Sequence, residues 1–266
     1  MKVVCLNGWG GKLHSELLPY LEIEQPDVLC LQEVVHTPST NKDWLTYRDG
    51  PHILQQRANF FRNVSEVLPE HTAIFCPAAQ GVLWDGDQQV ESYWGLATFV
   101  RSSFPIIAQA QGFVHKSFSP YGYGDHPRSR SAHAVRIFDY TGNKTISITH
   151  MHGLRDLAGK HDTQERNDQA RRLYALSEQV SEPNDIRIIC GDFNVEPQSE
   201  TLDYLNTKGF VELVTANRFK GTRTSHYNKP RRFADYLLIN RLEAVKRFNV
   251  VYAPEVADHC PLVLEI

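Results

Sequence analysis

The chain has 266 residues, 41% of them apolar and 22% charged, with a formal net charge of −3. This composition excludes a disordered chain, and no apolar run approaches the roughly 20 residues that span a bilayer. The acidic balance excludes a generic basic nucleic-acid coat and leaves room for a local basic groove.

Five cysteines, Cys5, Cys30, Cys76, Cys190 and Cys260, are scattered through apolar runs and lack zinc-ligand spacing. They read as buried free thiols of a reducing compartment. The apolar stretch after Lys2 is too short for a signal-peptide core, so the expected location is cytoplasmic.

In chain order, β-like runs occur at Val3–Leu6, Val28–Leu31, Ala73–Phe75, Gly95–Val100, Ala132–Phe138, Thr145–Thr149, Ile186–Cys190, Phe233–Ile239 and Phe248–Val251. Each is rich in Val, Ile, Leu or Phe and bounded by turn formers. Helical stripes interrupt them. Leu13, Leu17, Leu18 and Leu21 share a face that ends before Pro26. Phe60, Phe61, Val64, Val67 and Leu68 form a second stripe, stopped by Pro69. Asp162-Thr163-Gln164-Glu165 reads as a capping box opening a helix with Ala170, Leu173, Tyr174, Leu176 and Val180 inward. Ser199 caps a short helix carrying Leu202 and Leu205. Helices alternate with strands early and over 160–215, whereas strands follow one another between 95 and 150. That order predicts an α/β (α+β) fold of stacked mixed sheets, in one domain over 1–266.

Polar residues collect just after the apolar strands. Leu29-Cys30-Leu31 leads to Gln32-Glu33, and Ile188-Ile189-Cys190 to Gly191-Asp192-Phe193-Asn194. In extended chain Asp192 and Asn194 share a face. Ala257-Asp258-His259 sets a carboxylate beside an imidazole ahead of the last strand, and His150 and His152 end a strand on one face. Each feature alone reads most simply as a solvated turn or a hydrogen-bonded strand end. Carboxylates, amides and neutral imidazoles together are what a hard, oxygen-binding cation and a phosphate ester require.

The ordered set Asn7, Leu31-Gln32-Glu33, Thr149-His150, Gly191-Asp192-Phe193-Asn194, Phe233-Ala234-Asp235-Tyr236 and Asp258-His259 resembles the endonuclease/exonuclease/phosphatase superfamily, from residue 3 to the C-terminus. The resemblance implies a four-layer sandwich, two stacked mixed β-sheets flanked by helices, and Mg²⁺-dependent phosphoester hydrolysis, with Mn²⁺ as the substitute ion. It makes Glu33 the main metal ligand, with Asn7 and Asp258 completing the shell. Asp192 then orients or deprotonates the attacking water, and Asn194 holds the nucleophile or the phosphate. His259 contacts the phosphate and Asp235 orients it. His150 occupies the position next to the leaving group. The run Thr149-His150-Met151-His152 departs from the common pattern, so His152 is either a second phosphate contact or the catalytic histidine in its place.

Two segments are candidates for substrate contact. The Gly- and aromatic-rich stretch 115–130 has basic ends, and Lys220–Arg232 is dense in cations that include Arg223 and Lys229. The weak negative charge favours a small phosphoester or a nucleic-acid end over duplex DNA. No membrane insertion is expected. The alternatives are a non-catalytic phosphate- or nucleic-acid-binding module and a sphingomyelinase- or phosphoinositide-type lipid phosphoesterase.

Overall fold

The structure, a computed structural model, describes residues 1–266. Its first half contains β1 (Lys2–Asn7), α1 (His14–Glu24), β2 (Val28–His36), β3 (Trp44–Asp49), β4 (His52–Arg57), α2 (Phe60–Val67), β5 (His71–Asp85), β6 (Gln88–Arg101) and β7 (Ile106–His115). The second half adds β8 (Arg130–Asp139), β9 (Lys144–His152), α3 (Gln164–Val180), β10 (Ile186–Asp192), α4 (Glu200–Thr207), β11 (Val211–Glu212), α5 (Leu213–Ala216), β12 (Asp235–Ile239), β13 (Arg247–Val250) and β14 (Leu262–Glu265).

The strands form an eight-stranded sheet, β13-β14-β1-β2-β6-β5-β3-β4, and a six-stranded sheet, β11-β12-β10-β9-β8-β7. Both are mixed: β1–β2 and β9–β10 are parallel and their other pairings antiparallel. Valines and leucines on both faces of β1 and β2 are buried, as parallel strands covered on two sides require. One face packs under Leu17, Leu21, Phe60 and Val64 of α1 and α2; the other meets the second sheet, whose outer face is covered by Leu173, Leu176 and Leu205 of α3 and α4. The four layers expected from the sequence are present.

Every strand expected from an apolar run is found. The β3–β4 hairpin, β7 and β11 were not expected. Trp44–Arg57 is too polar to give an apolar run, and it forms the sheet edge, where one face stays wet. The Asp162 capping box is corrected by one residue. Thr163 is the N-cap and accepts from Arg166 N, while Asp162 accepts from Glu200 N at 3.1 Å and ties the start of α4 to the loop before α3. Ser199 caps α4 as expected.

The parallel strands deliver chemistry to one end of the sandwich. Asn7 ends β1, His152 ends β9 and Asp192 ends β10, while Asp235 opens β12 directly opposite Asp192.

Candidate active site

Glu33 is aimed by an irregularity. The β2–β6 register shifts between Leu31 and Val34, and Glu33 has φ of 56°. A β-bulge turns one side chain out of the alternation, here away from the core side taken by Gln32. A left-handed non-glycine residue costs about 1–3 kcal/mol, so the surroundings hold it there. Gly191 does related work in β10. It has φ of 142°, and a Cβ there would sit 2.1 Å from Met151 O. Only glycine lets β10 approach β9 closely enough to set Asp192 beside His152.

Asp192 is the hub. Its Oδ2 accepts from Asn7 Nδ2 at 3.0 Å across the seam between the sheets, and its Oδ1 accepts from Asn194 N at 3.1 Å. Nε2 atoms of His152 and His259 both lie 3.7 Å from Asp192 Oδ2. His152 Nε2 is also 3.9 Å from Glu33 Oε1. His259 Nδ1 is 2.8 Å from Asp235, whose Oδ2 accepts from Thr222 Oγ1 at 2.8 Å. With Nδ1 committed to donating, Nε2 of His259 faces the cleft.

Burial pushes the Glu33 carboxyl up to about 7, with the charge of Asp258 next in weight; the Asn7 amide opposes. Burial also raises Asp235, to about 6, and lowers His259, to about 4, so both members of this pair are driven toward neutrality. Burial holds His152 well below the usual imidazole range, reinforced by Arg130. Arg223 donates to Asp258 Oδ2 at 2.8 Å. Burial opposes its charge, yet Asp192, Asp235 and Asp258 outweigh that and raise it.

The carboxylates fit a cation. Asp258 Oδ1 is buried and has no hydrogen-bond partner. Burial raises Glu33 most, and the charges of Asp258 and Asp192 add to it. Asp192, Asp235 and His259 also bring ligand atoms within 4.8 Å of one another. In that trio both Asp235 oxygens already face His259 Nδ1, so the freer oxygens are those of Glu33 and Asp258.

The structure therefore gathers Asn7, Glu33, His152, Asp192, Asn194, Arg223, Asp235, Asp258 and His259. It does not bring His150 among them. His150 is buried between the sheets, with Nδ1 3.2 Å from Gln32 Nε2 and Nε2 2.8 Å from Thr98 Oγ1. The two histidines share a face of β9, but only the last residue of that strand reaches the cleft. Lys229 is exposed. Within the same segment Arg232 is structural, donating to the carbonyls of Tyr227, Arg223 and Thr224.

Sequence reasoning missed Arg130 and Trp94. Arg130 is buried, donates to Gly153 O at 2.9 Å and lies over the Trp94 ring at 5.0 Å. Burial lowers it to about 10, while Glu33 and Asp192 oppose. It had counted only as a basic end of the 115–130 stretch. Trp94, in β6, carried no polar signal.

The sequence profile of the Endonuclease/Exonuclease/phosphatase family matches residues 6–259. No curated protein matches significantly. Among solved structures, a mannosyl-6-phosphatase of Bacteroides thetaiotaomicron superposes with a TM-score of 0.69 at 16% identity, over 100% of this chain and 98% of that one. The human Nocturnin catalytic domain gives 0.64 at 18%, over 99% and 93%. A humanized D. rerio TDP2 gives 0.63 at 11%, over 99% and 97%. These likenesses carry the fold, and the profile carries the family: the chain belongs to the Endonuclease/Exonuclease/phosphatase family, whose members are hydrolases acting on phosphoesters and generally depend on a divalent metal.

Proposed function

We propose that this chain is a Mg²⁺-dependent hydrolase of a small phosphoester or a nucleic-acid end, with Glu33, Asp258 and Asn7 holding the ion. The observation that carries the reading is the unpartnered, buried Asp258 Oδ1 in a cluster with Glu33, whose carboxyl is raised by burial and by the charges of Asp258 and Asp192. When bound, the ion supplies Lewis acidity at the phosphoryl oxygens. Asp192, oriented by Asn7 and Asn194 N, accepts the proton of the attacking water. His259, its Nδ1–H held by Asp235, presents Nε2 to the phosphate as a proton acceptor, and donates to a non-bridging oxygen only once it has taken up that proton. His152, whose Nε2 lies 3.9 Å from Glu33 Oε1 and 3.7 Å from Asp192 Oδ2, is the β9 histidine placed to contact the phosphate. Asn194 and Arg130 position the phosphate. Mn²⁺ serves in place of Mg²⁺.

A phosphoester panel assayed with Mg²⁺ and with chelator tests the reading. Glu33→Gln should fold normally and either lose turnover or need much more metal. Full activity of Glu33→Gln in chelator refutes the metal assignment, and absence of any metal-dependent turnover leaves a binding module.

A further inference from the structure

Asp258 meets a guanidinium by one oxygen alone. Arg223 Nη1 donates to Asp258 Oδ2 at 2.8 Å, while Asp258 Oδ1 is buried and has no hydrogen-bond partner. An arginine fork facing a carboxylate commonly takes both oxygens, in two parallel bonds. Here the second bond is not made. His259 Nε2 stands 3.7 Å from Oδ1, beyond hydrogen-bond length.

This one-oxygen grip is built into the backbone. Arg223 pairs with His259 as an antiparallel β-bridge; Thr224 N donates to Asp258 O at 3.1 Å and Cys260 N to Thr222 O at 2.8 Å. Thr224 Oγ1 donates to Ala257 O at 2.7 Å. Arg232 in turn donates to the carbonyls of Arg223, Thr224 and Tyr227, at 2.6, 2.9 and 2.7 Å. The Tyr227 ring lies 4.3 Å from the centre of the Arg223 guanidinium, a distance at which the ring face attracts the cation. The Arg223 side chain is only 7% exposed, so it has little freedom to swing across and cover Oδ1.

What remains for a cation is one oxygen of Asp258, and the consequence depends on the ion. Mg²⁺ takes near-octahedral ligands at about 2.0–2.1 Å and keeps several waters, so one oxygen per carboxylate serves it. Ca²⁺ takes about 6–8 oxygens at about 2.3–2.6 Å and accepts both oxygens of one carboxylate. A carboxylate already held by one oxygen is open to the smaller ion and closed to the chelating mode of the larger.

We propose that Arg223 is a positioning residue that sets ion selectivity: by occupying Asp258 Oδ2 it restricts Asp258 to a single ligand oxygen, Oδ1, and so favours Mg²⁺ over Ca²⁺. The proposal rests on the reading of Asp258 as a metal ligand. It gives Arg223 a task other than the substrate contact expected from its basic segment.

Calorimetric titration of chelator-stripped protein with Mg²⁺ and with Ca²⁺ gives both dissociation constants without turnover. Removing the guanidinium also removes a positive charge, which strengthens binding of either divalent ion alike. The ratio of the two constants cancels that effect and keeps the geometry of the carboxylate. In Arg223→Met the ratio should move toward Ca²⁺ by about tenfold or more, because Asp258 gains a second ligand oxygen for that ion alone. Arg223→Lys, which keeps one donor for Oδ2, should stay within about threefold of wild type. The side chain of Arg223→Gln ends where Nε now lies, short of Asp258; it should behave as the methionine variant does, and serves in its place should that variant not fold. An unchanged ratio in the Met and Gln variants, while Asp258→Asn weakens binding of both ions, overturns the clamp and leaves the metal site standing. A shift in Arg223→Lys as large as in Arg223→Met overturns the clamp too. If neither Asp258→Asn nor Glu33→Gln changes the binding of either ion, the metal reading fails and the clamp with it.

Discussion

Thr98 Oγ1 holds an imidazole on each side, His133 at 2.7 Å and His150 at 2.8 Å, in the dry layer between the sheets. Burial lowers His133 to about 4 and His150 well below its ordinary range. The unfolded chain therefore takes up protons below about pH 6.5 that the native state refuses. Stability contributed by the neutral imidazoles is complete above pH 6.5 and falls as pH drops, by about 1.4 kcal/mol per pH unit for each refused proton. The share of His133 stops growing near pH 4. Urea unfolding of wild type and His133→Asn at pH 7.5, 6 and 5 checks this: the variant should lose less stability on acidification, and parallel losses would contradict it. The histidines of β9 separate in the same terms. His152→Ala should lower kcat by about 10²–10⁴ with little change in Tm. His150→Ala should cost stability, about 1–3 kcal/mol for the groups left unpaired on Gln32 and Thr98, and affect the cleft only through them. The reverse pattern would restore His150 as the catalytic residue. Asp235 and His259 lie 2.8 Å apart, and the proposed mechanism makes them one unit. The double substitution to Ala should cost about as much as the worse single one, and additive log-rate losses would break the pair. Asp192, Asp235 and His259 were legible in the sequence because short motifs at strand ends carry them. The placement of His150 was not, since the depth at which β9 stops is a tertiary fact that two-residue spacing does not encode.

At the scale of elements, strands buried on both faces were readable and edge strands were not. β1, β2, β10 and β12 are near-continuous apolar runs, as sheet interiors demand, and β9 sets Ile146 and Ile148 among Ser and Thr. The β3–β4 hairpin has no such run, yet Tyr47, Leu54 and Gln56 from it line a pocket that shares Glu33 and His152, so that part of the cleft was hidden along with it. The bulge at Glu33 was invisible too, because Gln-Glu after an apolar run says nothing about φ. The β9–β10 contact at Gly191 gives an element-level test. Gly191→Ala places a methyl against Met151 O and forces a left-handed alanine, so the strands must part. A loss of roughly 1–3 kcal/mol is expected from backbone strain alone, and kcat should fall with it, because Asp192 moves with the strand. Urea midpoints and kcat of the variant measure both. Unchanged values would mean that β10 does not need this approach.

For the whole molecule, the proposed metal site implies that the carboxylates of the cleft cost folding stability in the absence of the ion. Glu33, Asp192 and Asp258 converge from both sheets, so their repulsion acts against the docking of one sheet on the other. A cation that binds only the native state adds RT ln(1 + [L]/Kd), about 2.7 kcal/mol at a hundredfold excess over Kd. Mg²⁺ should therefore raise Tm over the chelated protein by several degrees, and Glu33→Gln should be more stable than wild type in chelator while gaining less from Mg²⁺. Scanning calorimetry in both conditions decides; an equal Mg²⁺ gain in the two proteins would move the ion away from Glu33.

The pairing of β14 with β1, Lys2 opposite Glu265, has a consequence for how the protein comes into being. Asp258 and His259 lie in the segment leading into β14, while Asn7 sits on the strand that β14 flanks. A ribosome delivers β1, β2 and both halves of the seam long before it delivers that segment. Because synthesis runs from the N-terminus, a growing chain carries Glu33 and Asp192 before it carries the imidazole proposed to work with them. On the proposed role of His259, hydrolysis waits until the segment ahead of β14 is in place.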